Sequence, residues 1–116
     1  MRQYTNKEQT QHLIELGFPR PKYIDIDGYP PEDMLKEYAF DKDRFGIVKC
    51  YENYSIGELI EFLGKFMMGI KLMETYEVYA YKKTDDIEYV DWIIKKGELI
   101  DALYEACVEL KNEGVI

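Results

Sequence analysis

The sequence predicts an α+β fold, a small antiparallel sheet of about three strands with three main helices packed on it. Three observations predict it. Two capping boxes open helices near residues 5 and 55, residues 66 to 94 carry strand-like alternation, and the last segment repeats its apolar residues at helical spacing.

The first helix is expected over 5–16. Thr5 caps its amino terminus while Glu8, three residues on, reaches back in a capping box, and Leu13, Ile14 and Leu16 form its apolar side. Gly17 supplies the left-handed residue that stops it, and Phe18 folds back onto Leu13 as in a Schellman closure. Residues 19–53 read as an irregular excursion, because Pro19, Pro21, Pro30 and Pro31 remove donors and restrict their predecessors. Within it, 22–26 and 45–51 are β-like, "DKDR" is a mixed-charge run between them, and "PPEDMLKEYAF" makes a short helix near 31–39.

Order returns at "YSIGELIEFLG", where Ser55 and Glu58 form the second capping box and Tyr54 staples onto Leu59 ahead of a helix over 56–63. "GIKLMETYEVYAYKK" alternates as a hairpin, with Ile70 and Leu72 on one strand and Tyr76, Val78 and Ala80 on the next. Asp85 and Asp86 read as turn residues. "DIEYVDWII" fits period 2 through Val90, Trp92 and Ile94, although Ile87, Val90 and Ile94 also match a helix; a third strand is expected. In the last helix Leu99, Ile100, Leu103, Ala106, Cys107 and Leu110 form the buried stripe, and Glu98, Asp101, Glu105 and Glu109 form the opposite, solvated one. Gly114 ends it and Val115 closes back onto Leu110.

Composition bounds the function. A chain of 116 residues is the size of one domain, so 1–116 is read as a single globular domain. With 15 basic against 23 acidic residues the net charge is -8, which repels a phosphate backbone and attracts a basic partner. No apolar window approaches a membrane span and the start, "MRQYTNKEQTQ", lacks a secretory core, so the cytoplasm is the expected setting. Cys50 and Cys107 have neither a CxxC spacing nor histidine neighbours and read as small apolar residues. His12, the single histidine, builds no zinc site with them on a standard ligand spacing.

Three segments, "YTNKEQTQHLIELGF", "YSIGELIEFL" and "ELIDALYEACVELKNEGVI", resemble the hallmarks of small uncharacterised bacterial proteins associated with prophages and other mobile elements. The resemblance implies an α+β fold and a mobile-element setting, with no activity, cofactor or catalytic residue to carry over. The matching positions are caps, stops and core.

One stretch looks like chemistry. "KYIDIDGYPPED" resembles the nucleophile loop of haloacid dehalogenase-like phosphohydrolases, which implies Asp25 as nucleophile, Asp27 as general acid and Mg²⁺ between Asp25 and the phosphate. The context departs from that family: Lys22 precedes only Tyr23 and Ile24 where a buried apolar strand belongs, Tyr29 follows the glycine in place of Thr or Val, and prolines replace the helical flap. The doubly wound parallel sheet of that fold also needs more βαβ units than this chain holds. The aspartates therefore read as turn formers that bond nearby amides. An EF-hand is ruled out by the glycine's position, and Asp25, Asp27, Glu32 and Asp33 offer only an adventitious cation site.

Eleven tyrosines stand out, and on the second hairpin strand Tyr79 and Tyr81 alternate with Tyr76 and Val78. Without basic charge around them an RNA platform is not expected, whereas tyrosine suits protein contacts. The expected function is that of a small acidic accessory protein, non-enzymatic and without cofactor or metal, that binds another protein through Tyr79, Tyr81, Glu98, Asp101, Glu105 and Glu109. The runner-up is a DNA mimic that inhibits a nucleic-acid-acting host enzyme, and the third is a Mg-dependent phosphohydrolase using Asp25 and Asp27.

Overall fold

The computed structural model describes residues 1–64, 67–72, 75–84, 87–114 and 116, with the backbone path alone at 67–72, 79–84, 87–93 and 95. In chain order the elements are α1 (Lys7–Glu15), α2 (Glu32–Glu37), β1 (Phe40–Lys42), β2 (Val48–Cys50), α3 (Ile56–Leu63), β3 (Met67–Leu72), β4 (Tyr76–Thr84), β5 (Ile87–Lys96) and α4 (Leu99–Asn112). This is the expected α+β arrangement. The strands form two antiparallel sheets, β1-β2 and β3-β4-β5. The chain divides into two compact units, Tyr4–Tyr54 and Met1–Gln3 with Ser55–Ile116.

In the unit Tyr4–Tyr54, α1 starts later than the sequence predicts. Asn6 is its N-cap and Gln9 completes the capping box, in place of Thr5 and Glu8. The reason lies in tertiary bonding: Thr5 pairs its amide with Tyr54 O at 2.9 Å, and its hydroxyl accepts the Tyr54 amide at 3.0 Å and meets Thr10 Oγ1 at 2.7 Å. Both threonines are buried. Thr10 Oγ1 also lies 2.8 Å from Asn6 O and 2.6 Å from Asn53 Oδ1, so the buried hydroxyls are satisfied by one another and by the chain that passes them. The stop is as expected: Gly17 takes φ +98°, Gly17 N–H bonds Ile14 O and Phe18 N–H bonds Leu13 O, the paired bonds of a Schellman motif.

The segment 19–53 is more regular than its prolines imply. Pro31 stands at the N-cap of α2, where a missing donor costs nothing, and Glu32 and Asp33 complement the positive end of the helix. Lys7 ties α1 to α2 by donating to Leu35 O, with its ammonium 5.5 Å from the Phe40 ring. β1 and β2 then form a hairpin in the register Phe40↔Cys50, Asp41↔Lys49, Lys42↔Val48. The β-like piece at 22–26 contributes a single bridge, Tyr23↔Tyr51, with Ile24 N–H on Cys50 O and Glu52 N–H on Lys22 O. Leu13, Ile14, Phe18, Ala39, Cys50, Tyr51 and Tyr54 make the core of this unit, and the Tyr54 hydroxyl donates to Pro19 O at 2.6 Å.

In the other unit the expected elements recur. α3 opens with the Ser55–Glu58 capping box. β3 and β4 pair as a hairpin, Ile70↔Val78 and Leu72↔Tyr76, and 87–96 is the third strand rather than a helix. Strict alternation on β5 fails at one point: Trp92 pairs with Ala80 but Val90 pairs with Tyr81, so Asp91 is an extra residue in a bulge. α4 packs against α3, β4 and β5 and buries Leu99, Ile100, Ala102, Leu103, Ala106, Cys107 and Leu110. Of the three expected helices, α3 and α4 share this unit with the three-stranded sheet and α1 belongs to the other. Asp85, Asp86 and Val115 lie outside the described residues.

Candidate functional site

The turn between β1 and β2 places two large apolar side chains, Phe45 and Ile47, at the surface. Asp43 O accepts Gly46 N–H at 3.1 Å and Asp43 N–H donates to Ile47 O at 3.0 Å. Asp43 Oδ1 takes two further amides, Phe45 N–H at 2.8 Å and Ile47 N–H at 2.9 Å. Gly46 sits at φ +83°, the left-handed residue that lets a three-residue loop rejoin the ladder. This is the amide-bonding role expected of Asp25 and Asp27. Those two are exposed and meet no hydrogen-bond or ion-pair partner among the described residues.

The turn carries Phe45 and Ile47 into solvent, and Tyr29 joins them from the segment before α2. Phe45 is 75% exposed, Tyr29 67% and Ile47 59%. They are gathered, because Tyr29, Pro30, Phe45, Ile47 and Val48 line one shallow recess. An isolated exposed Ile needs no explanation, but here Phe45 and Ile47 stand together on a turn fixed by four hydrogen bonds, with Tyr29 at the same recess.

A second, polar recess adjoins it through Ile47, lined also by Arg20, Asp41, Lys42, Lys49 and Tyr51. Its acids are engaged. Asp41 Oδ2 accepts from Arg20 Nε and, at 3.0 Å, from the Tyr51 hydroxyl, while Asp43 holds the turn. Burial first, then the bond to Asp41, holds the Tyr51 phenol above its usual range, so it stays a donor. Lys42 and Lys49 are exposed, Lys49 with its ammonium 5.9 Å from the Tyr23 ring, and Arg44 lies 4.8 Å from the Phe45 ring centroid. On a chain of net charge -8 this is a cationic island.

The surface expected from the sequence is bonded differently. Glu98 Oε2 accepts the Arg2 amide at 3.1 Å, Asp101 pairs with the Arg2 guanidinium at 2.9 Å, and Glu105 lies 3.4 Å from Lys96. Those carboxylates are half-buried, and Glu109 alone of the four is exposed. Tyr79 and Tyr81 pair with Ile93 and Val90 in the sheet backbone, and their side chains lie outside the described residues.

The remaining reactive groups serve the core. Cys107 is buried and burial pushes its thiol up to about 12; Cys50 is buried and raised for the same reason, so both stay protonated and unreactive. Cys107 Sγ lies 3.8 Å from Leu59 O. His12 is half-buried on α1. Among the described residues no group of three or more His, Cys, Asp or Glu is placed to hold a metal, and no helix is long and apolar enough to cross a membrane.

The hairpin surface escaped sequence reading because β1 and β2 are three residues each, too short for periodicity to register. The available signal was Asp43-Arg44-Phe45-Gly46, a turn with Asp first and Gly last that places Phe45 at its exposed corner. Comparison of the chain with protein-family models, with curated proteins and with solved structures finds no match.

Proposed function

We propose that this chain is a small accessory protein, without catalytic activity of its own, that binds another protein through the hairpin face built by Tyr29, Phe45 and Ile47. The observation that carries the reading is the gathering of these three exposed side chains around one recess, two of them on a turn whose backbone is fixed by Asp43. A preset turn lowers the ordering cost of binding, and an aromatic anchor supplies contact area. The acidic stripe of α4 supports this role less, because Arg2 and Lys96 already engage three of its four carboxylates. The same engagement weighs against a DNA mimic, which needs carboxylates free to stand in for phosphates. The cytoplasm and a mobile-element setting are part of the proposal, the first expected from a sequence with no apolar run of membrane length and the second resting on the sequence resemblance alone.

Affinity capture with the tagged full chain tests the reading. A partner retained by the wild type should fall by about tenfold or more with Phe45→Ala, the loss typical of a central anchor. If both proteins retain the same set of partners to the same extent, the hairpin is not the contact surface.

A further inference from the structure

Resting on that reading, we infer that the hairpin face takes an extended peptide segment of its partner that carries an apolar side chain beside one or more carboxylates. Two adjoining recesses of different chemistry point to it. Tyr29, Pro30, Phe45 and Val48 line the first, which offers rings and aliphatic surface. Arg20, Lys42 and Lys49 line the second together with Asp41, Asp43 and Tyr51. Ile47 lines both, so the apolar and cationic recesses are contiguous.

The charge that the second recess presents follows from its bonding. The Arg20 cation is matched by Asp41, and Asp43 also lines the recess with a carboxylate whose Oδ1 accepts two amides of its own loop, so Arg20, Lys42 and Lys49 stand against two acids. Lys42, Lys49 and, on the turn, Arg44 are left as exposed cations next to the aromatic surface. An acidic residue of a partner gains from Lys42 and Lys49, whereas a basic one meets like charge beside the same apolar recess. The polypeptide is favoured over a nucleic acid because the whole chain is acidic and the island holds few cations against a run of phosphates.

The test uses the full-length protein and fluorescein-labelled peptides of about twelve residues, in which leucines are separated by glutamates, by lysines or by serines, with a thymidine oligonucleotide as a further probe. By anisotropy the glutamate peptide should bind about tenfold or more tighter than the lysine and serine peptides and the oligonucleotide. Its advantage should shrink as salt rises. Lys42→Glu with Lys49→Glu should erase the preference for glutamate, and Ile47→Asp should weaken all peptides; each site is exposed, so the unfolding midpoint should hold. A serine peptide that binds as tightly as the glutamate peptide and is lost in Phe45→Ala overturns the carboxylate claim and leaves the protein-binding face standing. Tighter binding of the oligonucleotide or of the lysine peptide overturns it as well. So does a dimer by light scattering that Phe45→Ala dissolves, which would give the face to a second copy. If no probe binds while Phe45→Ala still abolishes partner capture, this inference falls and the proposed function remains.

Discussion

Asp43 Oδ1 accepts the backbone amide of Phe45 at 2.8 Å, and that bond sets an exposed aromatic ring at the corner of a hairpin. The same oxygen takes the Ile47 amide, so one carboxylate positions two of the three exposed residues of the surface. An exposed anchor held by its own loop is ordered before a partner arrives, which reduces the entropy lost on binding.

Replacing Asp43 by Ala should therefore act on the loop first. The variant should lose about 1 kcal/mol of stability in urea, the typical worth of such bonds, and amide exchange at Phe45 and Ile47 should accelerate. Asp43→Asn keeps an acceptor oxygen in the same place and should restore most of the loss.

Gly46 offers a test of the backbone. At φ +83° an L side chain is strained whatever the room around it, and a Cβ there would meet only Lys42 Cε at 4.0 Å. Gly46→Ala should cost about 1–2 kcal/mol through conformation alone, with Asn tolerated better than Ala. Equal stability of the Gly and Ala proteins would show that the turn has another shape.

The buried hydroxyl pair gives a sharper effect on the same unit. Thr10→Val keeps shape but removes the partner of the Thr5 hydroxyl and of Asn53. Leaving buried polar atoms unmatched should lower stability by about 1–3 kcal/mol in denaturant titration.

High pH should destabilise the fold through Cys107. Its thiol is raised from 9.0 to about 12 by burial, so between these values the unfolded chain releases a proton that the folded chain retains. Stability is then fully present below pH 9.0 and falls as pH rises toward about 12, by up to about 1.4 kcal/mol per unit from this group. Cys50, Tyr51 and Tyr104 are raised as well and add to the same slope. Cys107→Ala should flatten the decline measured by urea titration at pH 8 and above, after allowance for its own loss of packing.

Much of the fold was legible in the sequence where local signals and tertiary packing agree. Ser55 with Glu58, Gly17 with Phe18 and the apolar stripe of α4 each do locally what the whole structure requires. The first helix start was misread because Thr5 and Asn6 are both capping residues, and only the approach of Tyr54 and Thr10 decides that Thr5 is used in the core. The bulge at Asp91 is likewise invisible to period 2, since it depends on what pairs across the strand. The acidic stripe was legible as a pattern, but the partner of two of its members, Arg2, lies almost a hundred residues away. The hairpin surface was hidden by the shortness of β1 and β2, which leaves turn chemistry as the one cue.

The central claim is that Phe45 on its preset turn is the anchor of a protein contact. It is tested most directly by photo-crosslinking, with a benzoylphenylalanine in place of Phe45 and, as control, in place of Glu109 on the exposed end of the α4 stripe. The account predicts one dominant protein adduct from position 45 and none from position 109. An adduct from position 109 with nothing from position 45 would contradict it.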